Sequence, residues 1–205
     1  MSRGGAKLAG ALDAFGVDPS GRRCLDAGAS TGGFTDCLLQ RGAASVIAVD
    51  VGRGQIAWTL RSDPRVEVRE RVNVRQMREG DIDPPPDLVV ADLSFISLTI
   101  VAPALRAVAR DDAEFVLLVK PQFEAGPARV GKGGVVRDPA VHKAVLRETV
   151  AGLDAGGLGV LAVEASSLRG ADGNVEFFAH ARSRPARVEL GDLDAVVDRV
   201  YEGSR

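Results

Sequence analysis

Short apolar runs recur along this chain, separated by stretches whose apolar positions follow a helical spacing. The runs cover residues 23–27, 45–50, 66–69, 88–92, 115–120, 158–164 and 175–181. Several are continuously apolar rather than alternating, the mark of parallel strands covered on both faces. Between them, Leu8, Leu12 and Phe15 form one helical stripe. Residues 33–41 read as a helix closed by Gly42, where a left-handed cap costs glycine nothing. Asp138-Pro139 supplies an N-cap and first-turn proline for the longest helix, and Gly156-Gly157 ends it. Strand–helix alternation over the first five strands predicts an α/β fold with a doubly wound, mostly parallel sheet. The last two runs are joined by a Gly/Asp/Asn-rich loop with no helical pattern. They read as an antiparallel pair added at the edge, making seven strands.

Composition narrows the class without naming a function. At 205 residues the chain fits a single domain, residues 1–205, with residues 1–20 as an amino-terminal segment and helix carrying Lys7. Hydrophobic content of 45% and charged content of 26% are those of a globular domain. No apolar stretch is long enough for a membrane span and the start carries no secretory signal, so a cytoplasmic address is expected. A net charge of −2 makes no nucleic-acid field, so such binding would need a local patch. Cys24 and Cys37 fall in a predicted strand and helix without metal-ligand spacing, and no metal is expected.

Candidate chemistry starts at Lys120. Of 26 basic residues only Lys7, Lys120, Lys132 and Lys143 are lysine, yet lysine stands where the run 115–119 ends. Arginine keeps its proton in a protein, whereas lysine can lose it when desolvated or crowded by cations. A lysine at the carboxyl end of a parallel strand therefore suggests proton chemistry, and the plainer alternative is a snorkelling strand-end side chain. The first strand runs into Asp26-Ala27-Gly28-Ala29-Ser30-Thr31-Gly32-Gly33-Phe34 and then a helix. Such a turn brings backbone close to a ligand, but Ser30 occupies the position at which a dinucleotide fingerprint needs glycine. S-adenosylmethionine, which has no phosphate, suits the turn better than NAD does. Asp50 closes the second strand 22 positions after Gly28, near the spacing of an acidic partner for a ribose diol.

With this corner in place, the chain resembles the TlyA family of rRNA 2′-O-methyltransferases, within the broader FtsJ-like methyltransferases. The blocks SRGGAKL, LDAGASTGGFTD, VDVGRGQ, ERVNVRQM, ADLSFISL, VKPQFEAG, VGKGGVVRD and GNVEFF carry it, in order, over almost the whole chain. The resemblance implies a Rossmann-like class I methyltransferase fold with an antiparallel edge strand. It implies S-adenosylmethionine as cofactor, contacted by Asp26, Gly28, Ser30, Thr31, Gly32, Gly33, Phe34, Asp50, Val51, Asn73 and Asp92. It also implies a Lys-Asp-Lys-Glu tetrad, here Lys7, Asp92, Lys120 and Glu176, and ribosomal RNA or ribosomal subunits as partner, with cytidine the expected nucleoside. A small RNA-binding domain ahead of SRGG is implied as well; this chain is then an excised catalytic domain or a short family member.

Residue chemistry agrees with the tetrad. A ribose 2′-hydroxyl must be oriented and relieved of its proton before it attacks a sulfonium methyl. Lys7 beside Lys120 would favour a neutral amine, and the two carboxylates would orient amines and sugar. Three weaker features remain. The loop 122–137, with Arg129, Lys132 and Arg137, is either a lid touching RNA phosphates or an ordinary solvated loop. Phe34 and Trp58 either flank the adenine or pack in the core, and His142 reads as structural. Rival readings are a membrane-acting haemolysin, a cofactor-binding regulator without catalysis, and an NAD enzyme; no strongly basic amphipathic helix supports the first.

Overall fold

In a computed structural model, which describes residues 2–170, 172–183 and 190–202, the apolar runs form one seven-stranded sheet. Its strands are β1 (Arg23–Ala27), β2 (Ser45–Asp50), β3 (Val66–Glu70), β4 (Leu88–Ala91), β5 (Glu114–Val119), β6 (Gly159–Ala165) and β7 (Phe177–Arg182). The helices are α1 (Arg3–Phe15), α2 (Gly33–Gln40), the short α3 (Trp58–Arg61), α4 (Leu98–Val108), the short α5 (Pro121–Glu124), α6 (Pro139–Ala155) and α7 (Leu190–Glu202). Strand order is β3-β2-β1-β4-β5-β7-β6, with the first five parallel. The expected antiparallel pair sits at the edge, but its order refines the expectation. The reversed strand, β7, lies inside, pairing with both β5 and β6, and the edge strand proper is β6. The crossover through α6 carries β6 past an open position, which the returning β7 then fills.

Two apolar layers cover the sheet. Leu8, Leu12, Phe34 and Leu38 pack with Val116, Leu118 and Phe178 on one face. Val101, Leu105, Leu146, Leu153 and Val197 pack with Phe115, Leu117 and Phe177 on the other. Strand side chains alternate between faces, so parity decides where a strand-end residue points. Asp92, Lys120 and Glu176 continue the alternation of Val90, Leu118 and Phe178, which face α1 and α2. Asp26 shares the parity of Cys24 on the same face. α1 starts at the N-cap Ser2, whose side chain accepts from the Gly5 amide, and ends at Gly16 in the left-handed conformation (φ 64°).

At the amino-terminal edge of the sheet, Glu114 accepts from Arg22 and Arg182, each at 2.5 Å. Burial opposes its charge, but the two guanidiniums outweigh it and bring the carboxyl down to about 2. This cluster lies at the opposite end of β5 from Lys120 and ties β1, β5 and β7 together.

Candidate active site

The chain leaves β1 along the backbone of β2: the amides of Gly28 and Ala29 both donate to the Val49 carbonyl. Gly28 has φ 88°, and a Cβ there would stand 2.5 Å from the Asp92 carbonyl oxygen. Only glycine fits between β1 and β4 at that point. Ser30 adopts φ 47°, the left-handed conformation a glycine would take, and its amide donates to Asp50 Oδ2 at 2.8 Å. Asp50 Oδ1 accepts from the Gly52 amide at 2.6 Å. A carboxylate offers about four acceptor positions, so two remain for a ligand hydroxyl pair.

These residues border a cleft of about 440 Å³. Of the expected cofactor residues, Gly28, Ser30, Asp50, Val51, Asn73 and Asp92 line it; Asp26, Thr31, Gly32, Gly33 and Phe34 do not. After Ser30 the chain turns away into α2. A Cβ on Gly32 (φ 96°) would lie 2.2 Å from Leu60 Cδ1, and one on Gly33 would lie 2.4 Å from Ser2 Oγ. These two glycines let α2 pack against α3 and α1. Phe34 is buried and stacks on Phe178, ring centroids 6.2 Å apart. Asp26 lies fully buried beneath the turn, accepting from Thr35 Oγ1 at 2.7 Å. Burial, reinforced by Asp92 and Asp50, pushes its carboxyl up to about 7 against the pull of Thr35.

The tetrad residues stand as two ion pairs. Lys7 Nζ donates to Glu176 Oε2 at 2.6 Å, both side chains buried. Lys120 Nζ lies 2.6 Å from Asp92 Oδ1 and donates to Ser94 Oγ at 3.0 Å. The β5–β7 register pairs Val119 with Phe177, and one further step sets Lys120 opposite Glu176. Each amine thus has its own carboxylate, so the structure replaces the expected lysine–lysine crowding with two compensated pairs. Gly170 closes the back of this group, since a Cβ there would meet Glu176 Oε1 at 2.6 Å.

The weaker expectations sort themselves as well. Arg129 is committed to Glu148, with two bonds of 2.8 and 2.6 Å. Asn174 anchors the glycine loop, accepting from the Val136 amide and donating to the Gly134 carbonyl. Lys132 and Arg137 stay exposed on it. His142 is buried against Tyr201, its ring bonded at 2.8 Å to the phenol, and burial lowers it to about 4. Trp58 is neither core nor cleft wall: it is 75% exposed.

The loop after Asp92 supplies cleft residues that sequence reasoning missed, namely Leu93, Ser94, Phe95 and Ile96, together with Gln55 and Val74. Phe95 is 90% exposed with φ 63°, and its ring centroid lies 5.0 Å from that of Phe123. An apolar side chain in a left-handed backbone has no local sequence signal. The motif ADLSFISL was legible only as a block. On either side of the cleft residues Asn73 and Val74 in the chain, Arg71 and Arg75 are exposed and make no ion pair with any of the described residues.

Comparison with known proteins shows the family. The sequence model of the FtsJ-like methyltransferases matches residues 1–183. The chain is 52% identical over 205 residues to the 16S/23S rRNA (cytidine-2′-O)-methyltransferase TlyA of Mycobacterium tuberculosis, covering 99% of this chain and 76% of that protein. It is 41% identical over 181 residues to hemolysin A of Brachyspira hyodysenteriae, 88% of this chain and 75% of that one. A solved structure described as a hemolysin from Streptococcus thermophilus superposes with a TM-score of 0.94 at 40% identity, over 98% of this chain and 74% of that one. The chain belongs to the FtsJ-like methyltransferase family.

S-adenosylmethionine is the cofactor of this FtsJ-like methyltransferase, and the cleft suits it. Val51, Val74 and Ile96 give apolar walls, Asp50 keeps acceptor positions for a ribose, and Asp92 adds a second carboxylate. Among the described residues lining the cleft, none is a lysine or arginine. Asp50, which pairs with no cation among the described residues, favours a cofactor carrying positive charge and opposes a pyrophosphate, which disfavours NAD. No helix among the described residues is long and apolar enough to cross a membrane.

Proposed function

We propose that this FtsJ-like methyltransferase methylates the 2′-hydroxyl of a ribose in ribosomal RNA, cytidine's being the expected one. The observation that carries the proposal is the pair of lysine–carboxylate contacts, Lys120–Asp92 and Lys7–Glu176, at one end of the sheet. They border the cofactor cleft through Asp92. A proton-accepting amine beside a nucleoside site is what a hydroxyl acceptor needs, and the M. tuberculosis relative is named for that reaction. The whole of residues 1–205 then serves as one catalytic domain.

Bound S-adenosylmethionine supplies a methyl group already activated on a sulfonium. Lys120 would take the proton of the 2′-hydroxyl in its neutral form, after the proton it carries in the pair with Asp92 has passed to solvent. The ammonium so formed is stabilised by Asp92, 2.6 Å away, and aimed by Ser94. Glu176, held by Lys7, sits opposite Lys120 and orients the sugar through its hydroxyls. Phe95 and Phe123 offer the target base a stacking surface at the cleft mouth, paying out the preference of unstacked RNA bases for aromatic partners. Arg71 and Arg75, with the exposed Lys132 and Arg137 of the glycine loop, contact phosphates. We place the reaction in the cytoplasm on ribosomal subunits.

The experiment is methyl transfer from labelled cofactor to ribosomal subunits, followed by nuclease digestion and mass spectrometry of the nucleosides. A ribose-methylated nucleoside is expected, and methylation on a base would overturn the assignment. Lys120→Arg keeps the charge and cannot act as the base, so its transfer rate should fall by about 100-fold or more with cofactor affinity retained. A variant rate close to wild type would leave Lys120 with an electrostatic role only.

A further inference from the structure

Glu124 lies outside the cleft, yet both of its carboxylate oxygens are spent on the loop that forms the cleft wall. Its Oε1 accepts from the Leu98 amide at 2.8 Å, and Oε2 accepts from Ser97 Oγ at 2.5 Å. Glu124 ends α5, the single turn that begins directly after Lys120, and the amides of Phe123 and Glu124 return to the Lys120 carbonyl. Ser97 and Leu98 open α4, directly after Asp92-Leu93-Ser94-Phe95-Ile96. Three side chains of one short segment therefore reach across to the other: Lys120 to Asp92 and Ser94, Phe123 to Phe95, and Glu124 to Ser97 and Leu98.

Phe95 holds φ 63°, a conformation that an L side chain adopts only when its surroundings enforce it. Enforcement needs a fixed point on each side of the residue. Ser94, bonded by Lys120, is the one before it, and the Ser97–Glu124 bond is the one after. Aromatic contact with Phe123 cannot set a backbone angle, because a ring pair tolerates sliding. The half-buried carboxylate can, since it takes a backbone amide and the N-cap hydroxyl at once. Burial raises its proton affinity, and the bonds from Ser97 and Leu98 work against that rise.

We propose that Glu124 is a positioning residue of this enzyme. It clamps the start of α4 to the Lys120 turn, and so fixes Lys120 against Asp92 and Phe95 in its left-handed pose. The inference rests on the assignment of Lys120 and Asp92 to proton transfer. A loosened clamp displaces reacting groups by a fraction of an ångström to an ångström, which in enzymes costs about 100-fold in rate.

Glu124→Ala and Glu124→Gln in the full chain test this. The single-turnover methyl-transfer rate is measured per cofactor-binding site titrated by calorimetry, so unfolded molecules do not count. Hydrogen exchange of the segment 93–98 is followed in parallel. Glu124→Ala should lose about 100-fold in rate per site, with exchange of the segment faster by about 10-fold or more. Glu124→Gln should return most of the rate, because its amide oxygen still accepts from Leu98 and its NH₂ can donate to Ser97 Oγ. A rate per site near wild type in Glu124→Ala, or unaltered exchange, would overturn the clamp; so would a Gln variant as impaired as Ala. Wild-type transfer to ribosomal RNA judges the functional assignment separately, and exchange judges the clamp even if that transfer fails.

Discussion

Replacing Asp26 by asparagine should change how stability depends on pH, by an amount the structure sets. Asp26 is fully buried, and burial with help from Asp92 and Asp50 carries its carboxyl from the ordinary 3.8 to about 7. Thr35 alone donates to it, and Oδ1 meets no partner among the described residues. A raised carboxyl means that the native state holds a proton the unfolded chain has released. Its contribution to stability is therefore complete below the unfolded value and is lost as pH rises towards about 7. A shift of about three pH units corresponds to about 4 kcal/mol at the upper end, at about 1.4 kcal/mol per unit. Some 2 kcal/mol of it, roughly, is lost between about pH 5.5 and the folded value.

Asparagine does not titrate, so Asp26→Asn should gain on wild type by about 2 kcal/mol between about pH 5.5 and pH 8. For a chain of this length that is about 4–8 °C in Tm. Urea unfolding of both proteins at about pH 5.5, 7 and 8 measures it. Groups such as His142, which burial lowers to about 4, titrate alike in both proteins and cancel in the difference. Any fixed cost of the amide's unpaired atom shifts the curves but not their divergence. Parallel stability curves across that range would show that Asp26 is already ionised in the fold and that the burial argument fails.

Asp50→Ala should weaken S-adenosylmethionine by about 10- to 100-fold, the worth of hydrogen bonds to a charged acceptor. Calorimetry reads this, and unchanged affinity would place the ribose elsewhere. Gly32→Ala should instead lose about 2–4 kcal/mol of stability, because φ 96° and the contact with Leu60 both oppose a Cβ. Denaturant titration checks it. Partial recovery in Gly32→Ala with Leu60→Ala identifies the clash, and cofactor loss without destabilisation contradicts it. Arg71→Ala and Arg75→Ala should each flatten the dependence of log RNA affinity on log salt by about 0.7–0.9, the share of one phosphate. Binding measured at several salt concentrations with an unaltered slope would move the RNA path off these arginines.

Periodicity alone determined most of the architecture. Continuous apolar runs could bury both faces only in a parallel sheet, and helical stripes between them could only cover it. The amino-acid types at strand ends, Asp50, Asp92 and Lys120, were legible because a charged residue closing a buried run has no packing reason to be there. What local sequence could not decide was which distant groups meet. Lys7 and Glu176 pair across 169 positions, and Arg129 is claimed by Glu148 rather than left for phosphate. The nine-residue turn 26–34 read as one ligand loop, but packing divided it after Ser30, because Leu60 and Ser2 occupy the space beside Gly32 and Gly33. Phe34 and Trp58 looked equivalent as aromatics, and only the placement of α2 against β7 buried one and left the other in solvent. Strand order at the sheet edge belongs with these, since an antiparallel pair satisfies the same pattern with either member inside. Patterns of burial are written along the chain because each residue carries its own hydrophobicity. Contacts between elements depend on the relative placement of both partners, and that is settled only when the layers close.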